Sequence, residues 1–221
     1  MLHRIKFLEG YTLWTNEGRY GKVHEFYFDK NNWSIRYLVA DLGSWLQNKF
    51  VLIDSAYFGI PEKALKLFAV KLTKEQIDHS PDVHILGPAL RADYDLASYF
   101  TWPNYFDYPQ QVLYTSSTEQ ETRQKKETKN PVDDLISSKE TETFRIHASD
   151  GLIGHIDDLL AEESTWEVKE LIVNTRNLFV GGKKVIVQVK DVEHVDMEER
   201  CLYIKMNMDS LKHCPEVHYS I

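Results

Sequence analysis

The alternation of apolar and polar side chains predicts a long β-hairpin near the N-terminus. Its first strand follows the Asn-Glu-Gly sequence at 16–18, which is typical of a tight turn because glycine supplies the positive φ angle. Its second strand is the run from Trp33 to Ala40, and the polar residues 30–32 separate the two strands. Further strands are predicted at 49–54 and 65–72 from the same alternation.

A capping box then predicts a short helix at the end of this unit. In Thr73-Lys74-Glu75-Gln76 the threonine and the glutamine are spaced to cap each other's backbone N–H groups, and the apolar Ile77 follows. The N-terminal part is therefore predicted to be a run of short strands closed by one helical turn.

The same pattern recurs in the C-terminal part of the chain. Trp33 reappears as Trp166, an offset of 133 residues, and the neighbouring apolar positions follow the same offset. The segment His-Ser-Pro-Asp-Val-His at 79–84 reappears as His-Cys-Pro-Glu-Val-His at 213–218. Two copies of a unit of about 75 residues indicate a duplication, since solenoids need three or more short repeats.

The second repeat is predicted to form strands at 153–161, 166–173, 183–190 and 200–206, with Asn207 or Asp209 capping the final helical turn. Five or six short strands and one helical turn suit a small closed barrel, because closure removes the edges of a sheet. The predicted fold class is mainly β: two small β-barrels, each with a short terminal helix, joined by a polar linker.

Composition divides the chain into three parts. Residues 1–108 are expected to hold the first barrel, with an aromatic arm at about 91–108. Residues 109–143 are rich in Ser, Thr, Glu, Gln and Lys and cannot bury a core, so they are predicted to be a flexible linker. Residues 144–221 are expected to form the second barrel. A linker of this length permits the barrels to dock on each other or to be exchanged between protomers.

The aromatic arm is the most unusual segment of the chain. Pro103 and Pro109 prevent a continuous helix, so the aromatic side chains cannot form one helical face. Three interpretations stay open: packing over a barrel, an interface with a partner or a second copy, and stacking of unpaired bases. The candidate partner-binding residues are Tyr94, Tyr99, Phe100, Trp102, Tyr105, Phe106 and Tyr108.

Charge narrows the choice of partners. The 221 residues carry a formal net charge of −8, and the acidic excess lies in the second half of the chain. RNA is thus a disfavoured partner, because phosphate binding normally needs a basic face. Lys183, Lys184 and Lys190 with Arg176 could form a local basic strip, but ordinary solubilising lysines are the better explanation.

Cysteine usage and hydropathy indicate the compartment. The two cysteines, Cys201 and Cys214, are expected to be free thiols in a reducing environment. The N-terminus lacks the apolar core of a signal peptide, and no stretch approaches the roughly 20 apolar residues of a membrane span. We therefore expect a cytoplasmic protein without an integral membrane segment.

Catalytic and metal-binding patterns are weak. The repeated His-x₄-His segments, at 79–84 and 213–218, straddle a proline and lack further ligands, so no metal site and no cofactor are predicted. No nucleophile elbow or phosphate-binding loop is present in the sequence. The four carboxylates Asp157, Asp158, Glu162 and Glu163 are interpreted as a solvated hairpin end, and the protein is predicted not to be an enzyme.

Several of these segments together resemble bacterial PRC-barrel proteins. They are Trp-x-Ile-Arg-Tyr-Leu-Val at 33–39, Gly-Ser-Trp-Leu at 43–46, Leu-Thr-Lys-Glu-Gln-Ile at 72–77 and Ser-Pro-Asp at 80–82. The resemblance covers roughly residues 5–108 and, more weakly, 144–218. It implies a six-stranded barrel similar to the cytoplasmic domain of the photosynthetic reaction-centre H subunit and to the C-terminal domain of the ribosome maturation factor.

What the resemblance implies about function is an adaptor role, with no catalytic residues to carry over. The chain has neither the membrane helix of the H subunit nor the separate N-terminal domain of the maturation factor. We expect a non-catalytic adaptor or scaffold that binds a protein partner or forms a homo-oligomer. The alternatives are an accessory factor in RNA processing or ribosome assembly, and an H-subunit-like role in photosynthetic assembly or electron transport.

Overall fold

The computed structural model describes residues 1–43, 49–83, 134–175 and 182–217. Within these ranges the chain is mainly β and forms two seven-stranded sheets, each built chiefly from one repeat. The predicted mainly β fold is confirmed.

The first repeat begins with a strand and a single helical turn that precede the long hairpin. Its described elements are β1 (Leu2–Arg4), α1 (Ile5–Leu8), β2 (Thr12–Thr15), β3 (Gly18–Asp29), β4 (Ile35–Asp41), β5 (Phe50–Asp54), β6 (Phe58–Glu62), β7 (Leu67–Val70) and α2 (Lys74–Asp78). A short 3-10 turn at Ser55–Tyr57 joins β5 to β6.

The second repeat contains the same series of elements. They are β8 (Leu135–Ser137), α3 (Ser138–Thr141), β9 (Arg145–Ala148), β10 (Gly151–Glu162), β11 (Val168–Asn174), β12 (Lys184–Gln188), β13 (Val192–Asp196), β14 (Cys201–Ile204) and α4 (Met208–Leu211). A 3-10 turn at Val189–Asp191 joins β12 to β13.

The two sheets have matching topologies. The first sheet has the strand order β5-β4-β3-β2-β7-β6, and the second has the order β12-β11-β10-β9-β14-β13. Neighbouring strands are antiparallel except β2 with β7 and β9 with β14, which are parallel. The repeat in the sequence is therefore also a repeat of topology, strand for strand.

The seventh strand of each sheet comes from the other repeat. Strand β1 pairs with β10, so that Leu2 lies opposite Glu162. Strand β8 pairs in the same way with β3, so that Leu135 lies opposite Asp29. Each repeat gives its first strand to its neighbour's sheet, as the subunits of an exchanged dimer do.

This exchange changes the interpretation of residues 134–143, which composition had grouped with the linker. They form β8 and α3, and Ile136 is 1% exposed. Their polar side chains are buried because each has a partner: Ser138 Oγ accepts a hydrogen bond of 3.1 Å from the backbone N–H of Phe26, and Thr141 Oγ1 donates one of 2.6 Å to the Ser138 carbonyl. Residues 109–133 lie outside the described residues.

The ring of Trp166 also crosses between the repeats, and Trp33 contacts the other repeat through its backbone. The ring of Trp166 packs among Phe26, Phe58 and Phe68 of the first sheet, with ring centroids 6.4, 5.1 and 5.3 Å away respectively. Trp33 is equally buried, at 6% exposure. The buried apolar side chains of both repeats form a single cluster, so the two repeats share one hydrophobic core.

The backbone around these tryptophans is constrained in the same way in both repeats. Trp33 and Trp166 have φ angles of 61° and 53°, which bulky side chains rarely adopt. The Trp166 carbonyl accepts a hydrogen bond of 2.8 Å from the Ile35 N–H, and the Trp33 carbonyl accepts one of 2.9 Å from the Val168 N–H. These reciprocal bonds and the buried rings hold the unusual turns.

One glycine occurs at the equivalent position of both repeats because a side chain there would clash with the neighbouring strand. A Cβ atom on Gly154 would lie 1.9 Å from the carbonyl oxygen of Asn174, and one on Gly21 would lie 2.8 Å from that of Asp41. Strands β10 and β11, like β3 and β4, approach too closely here for any side chain.

Candidate interaction surfaces

The exchanged strand β1 brings a basic side chain onto a buried carboxylate. Asp158 on β10 exposes 1% of its side chain, and its Oδ2 accepts a hydrogen bond of 2.7 Å from Arg4 Nε. Its Oδ1 accepts bonds from the backbone N–H groups of Lys6, at 3.0 Å, and Leu159, at 2.8 Å. Burial raises the pKa of Asp158, and these three donors oppose that rise. Asp158 thus belongs to the junction between repeats and not to a solvated hairpin end.

The helical turn α1 continues this junction. Lys6 Nζ lies 2.8 Å from Glu142 Oε2, so the ion pair joins α1 to the residue after α3. Glu9, after α1, is half-buried beside this pair. Burial raises the pKa of the Glu9 carboxyl to about 7, with smaller contributions from the neighbouring carboxylates of Glu142 and Glu25 and opposing ones from Lys139 and Lys6.

The equivalent junction in the first sheet has different chemistry. Glu25 occupies the position of Asp158, and it accepts a hydrogen bond from the hydroxyl of Ser137 on the exchanged β8. Lys139 occupies the position of Lys6, and its Nζ lies 3.1 Å from His24 Nε2. The arginine–carboxylate pair of one junction is replaced by a hydroxyl–carboxylate pair in the other.

A buried histidine is also part of the junction in the second sheet, between β1 and β10. His3 on β1 is 1% exposed, and its Nε2 lies 2.6 Å from Glu163 Oε2. Its ring stacks on Trp166 at 6.1 Å between centroids. Glu163, another of the four carboxylates interpreted as a solvated end, therefore also takes part in the contact between the repeats.

The outer face of β2, β7 and β6, called here the first-sheet face, exposes large apolar side chains. Trp14 on β2 is 45% exposed and Ile60 on β6 is 68% exposed. Ala69 on β7 lies beside Trp14 in the parallel register. A tryptophan and an isoleucine that are both exposed on one face of a sheet are typical of an interaction surface.

Basic side chains surround the first-sheet face. Arg19 lies opposite Trp14 in the register of β3, and Lys22 lies opposite Thr12. The backbone carbonyl of Lys66 accepts a hydrogen bond of 3.0 Å from the Thr12 N–H. Arg19, Lys22 and Lys66 are exposed, and none of them pairs with a carboxylate in the described part of the chain.

The equivalent second-sheet face, formed by β9, β14 and β13, has another composition. His147, Tyr203 and His194 occupy the positions of Trp14, Ala69 and Ile60. Their rings form a stacked row, with centroid distances of 5.3 Å from His147 to Tyr203 and 4.4 Å from Tyr203 to His194. The same sheet positions are apolar in one repeat and polar-aromatic in the other.

The candidate residues of the aromatic arm, Tyr94, Tyr99, Phe100, Trp102, Tyr105, Phe106 and Tyr108, lie outside the described residues. The structure therefore describes two faces that sequence reasoning did not single out. The signal that could have found the first one is Trp14, an aromatic residue at an outward position directly after the buried Leu13.

The two lysines at the start of the predicted basic strip are both paired. Lys184 Nζ lies 2.8 Å from Asp157 Oδ2, and Lys183 donates to Glu216. Lys190 is exposed, and Arg176 lies outside the described residues. The pairs reduce the positive charge that this part of β12 presents to a ligand.

The repeated histidines act locally in each repeat. His79 Nδ1 lies 2.8 Å from the Glu75 carbonyl, and His213 Nδ1 lies 3.0 Å from the Asp209 carbonyl. Their partners in the sequence pattern, His84 and His218, lie outside the described residues. Cys201 and Cys214 are free thiols.

The described ranges hold neither a metal-binding cluster nor a membrane-spanning helix. In residues 1–43, 49–83, 134–175 and 182–217, no group of three or more His, Cys, Asp or Glu side chains is arranged to hold a metal ion. None of the helices in those ranges has the length and apolar character needed to cross a membrane. No known protein family and no curated protein matches the chain.

Proposed function

We propose that the protein is a non-catalytic adaptor that binds a protein partner through the first-sheet face. The observation that carries the proposal is the exposure of Trp14 and Ile60, at 45% and 68%, on the two strands that flank β7 in one sheet. Burying two such side chains against a partner supplies a large part of the binding free energy of a typical interface.

The charges around this face define the partner. Arg19, Lys22 and Lys66 are exposed and have no carboxylate partner among the described residues. A complementary partner presents an apolar patch with an acidic rim, because opposite charges at the rim steer association and favour the correct orientation. The chain as a whole is acidic, with a net charge of −8, and this disfavours RNA as the partner.

The proposal includes the architecture that the sequence resemblance implies. We propose that each sheet curves into a small barrel of the PRC type around its share of the common core. The matching strand orders, with one parallel pair in each, support two copies of a single fold. The shared core and exchanged strands support a rigid double unit that presents several separate surfaces, as an adaptor requires.

The test compares matched faces of the same protein. Trp14→Ser with Ile60→Ser removes the apolar side chains of the first-sheet face, and His147→Ser with His194→Ser changes the equivalent positions of the second-sheet face. Proteins captured by each purified variant from extract, with and without ribonuclease, are identified by mass spectrometry.

The proposal predicts a partner that the wild type and the histidine variant retain and that the Trp14 and Ile60 variant loses. This partner must resist ribonuclease and must bind again when purified separately. Capture that depends on RNA would support the accessory role in RNA processing or ribosome assembly instead. Equal capture by all three forms of the protein would refute the proposed face.

A further inference from the structure

Among the described residues, strand β13 is an open edge of the second sheet. It pairs with β14 on one side only, and the sheet order ends there. None of the residues of β13 makes a backbone hydrogen bond on its other side to any of the described residues. Edges of this kind accept additional strands, and many proteins protect them with proline or bulges.

The equivalent edge of the first sheet is protected. Strand β6 carries Pro61 opposite Phe68, and β13 carries Val195 opposite Leu202 in the matching register. Proline has no N–H group, so β6 pairs with β7 without a backbone donor at position 61. At Val195 the equivalent N–H is present and points away from β14. The edge at β6 is therefore protected by proline, whereas the equivalent edge at β13 is not.

A groove runs along this open edge. Its volume is about 500 Å³, which is within the range of small-molecule and peptide pockets. One wall is β13 with the preceding turn, and the other is the β3–β4 turn of the first repeat, from Lys30 to Trp33.

The lining of the groove combines apolar and polar side chains. Val189, Val192 and Val195 line it together with Trp33. The polar lining residues are Lys30, Asn31, Asn32, Lys190, Glu193 and His194, and of these only Glu193 is a carboxylate. Lys30 is paired with Asp134 at 3.2 Å.

Lys190 gives the groove its charge preference. It is exposed, and it has no carboxylate partner in the described part of the chain. An acidic side chain of a ligand can pair with Lys190, while apolar side chains on the opposite face of the extended ligand contact the valines.

We propose that β13 and this groove bind an extended peptide segment of a partner protein, with alternating apolar and acidic residues, which adds to the edge of the second sheet. Backbone hydrogen bonds, including one from the Val195 N–H, supply affinity, and Lys190 with the lining valines supplies selectivity. This inference does not depend on the first-sheet face, which lies on the other repeat.

The experiment measures fluorescence anisotropy of a labelled, acetylated octapeptide that alternates Val and Glu. We expect saturable binding to the wild-type protein, and binding at least about tenfold weaker for the octapeptide that alternates Val and Lys. Two further peptides are N-methylated at all Val or at all Glu positions. One of them must lose binding, because a strand offers to the edge only the N–H groups of alternate residues.

Two substitutions locate the site. Val195→Pro removes one outward N–H and copies the residue that the first sheet has at this position, and we expect about tenfold weaker binding. Lys190→Glu is expected to weaken binding by a similar factor. Pro61→Val on the first sheet is the matched control, and it should leave the affinity of the β13 groove unchanged.

If Val195→Pro unfolds the protein, amide hydrogen exchange of the wild-type protein is measured instead of the affinity of this variant. The Val195 amide should exchange rapidly in the free protein and become protected when the Val-Glu peptide binds. The proposal is overturned if the peptide shows no saturable binding, if the Lys peptide binds as tightly, or if the Val195 amide stays unprotected in the complex.

Discussion

The two repeats meet through the same exchanged strands but use different chemistry at equivalent positions. In the second sheet the carboxylate of Asp158 pairs with Arg4, while in the first the carboxylate of Glu25 accepts a hydrogen bond from Ser137. Both carboxylates lie under a strand donated by the other repeat. Strand exchange is therefore maintained by backbone pairing and by apolar burial, since the polar contacts differ between the two junctions.

The outer faces of the two sheets differ in the same sense. Trp14 and Ile60 make one face apolar, and His147 and His194 make the other polar. A fused pair can diverge in this way because each surface is encoded separately, whereas the surfaces of a homodimer must stay identical. Duplication followed by divergence thus allows one rigid core to carry two distinct binding surfaces.

The tryptophans Trp33 and Trp166 give the strongest test of the equivalence of the repeats. Trp166→Ala should lower the free energy of unfolding by about 4 kcal/mol, because it leaves a cavity among Phe26, Phe58 and Phe68. Trp33→Ala should have an effect of similar size. Guanidinium denaturation followed by circular dichroism measures both, and an effect from only one of them would show that the repeats do not support each other equally.

The two junction carboxylates should differ in importance. Asp158→Ala is expected to lower the free energy of unfolding by about 3 kcal/mol, because it leaves Arg4 and two backbone N–H groups without their acceptor. Glu25→Ala removes one hydroxyl contact, and about 1 kcal/mol is expected. Equal losses in denaturant titrations would contradict the contrast between the junctions.

Glu9 introduces a pH dependence at the junction. Its pKa is about 7 in the folded protein against an ordinary value of 4.5, so folding favours the protonated carboxyl. Its contribution to stability is therefore present at low pH and is lost as the pH rises from about 4.5 to about 7. Glu9→Gln should stabilise the protein above pH 7 by about 1 kcal/mol, a value reduced by solvent screening at this half-exposed site.

The control for this prediction is Glu142→Gln, at the equivalent position of the second repeat. Glu142 pairs with Lys6 at 2.8 Å, so its substitution removes an exposed ion pair, and it should stabilise the protein at high pH less than Glu9→Gln does. Unfolding curves at pH 5 and pH 8 distinguish the two variants. A Glu9→Gln variant whose advantage is the same at both pH values would show that ionisation of Glu9 is not the cause.

The smallest effect is expected for Lys6, the exposed lysine of the junction in the second sheet. Lys6→Met should change the free energy of unfolding by less than about 1 kcal/mol, because ion pairs exposed to solvent contribute little. Lys6 is 41% exposed in its side chain. A change of several kcal/mol for Lys6→Met, measured by denaturation, would mean that the ion pair with Glu142 holds the exchange together.

Local sequence patterns were sufficient to predict the elements whose backbone hydrogen bonds join residues close in the sequence. The Thr73 and Gln76 capping box forms as expected, and Asn207 caps the last helical turn by accepting a hydrogen bond of 2.8 Å from the Ser210 N–H. The hairpin of β3 and β4 was predictable because its strands are long and alternate clearly. Glycine at the close strand crossing repeats because no other residue fits there.

Long-range pairing was not predictable in the same way. Strands β1 and β8 have three residues each, and their partners are more than 100 residues away, so no local periodicity reveals them. Ser138 and Thr141 were assigned to a linker because their type is polar, yet both are buried with internal partners. The short strand β6 was missed since Pro61 interrupts its pattern.

The candidate surfaces depend on the sheets being assembled first. Trp14 and Ile60 are 46 positions apart and share a face only because β7 pairs with β2 on one side and with β6 on the other. The same holds for the row of His147, Tyr203 and His194. A sequence shows which side chains are apolar or aromatic, but the strand order decides which of them share a face.

The most direct test of the adaptor proposal is a calorimetric titration of the purified partner into three forms of the protein. These are the wild type, the Trp14→Ser and Ile60→Ser variant, and the His147→Ser and His194→Ser variant, each shown to be folded. The account predicts at least about a hundredfold loss of affinity for the first variant and nearly unchanged affinity for the second. Equal affinity of all three forms would contradict the assignment of partner binding to the first-sheet face.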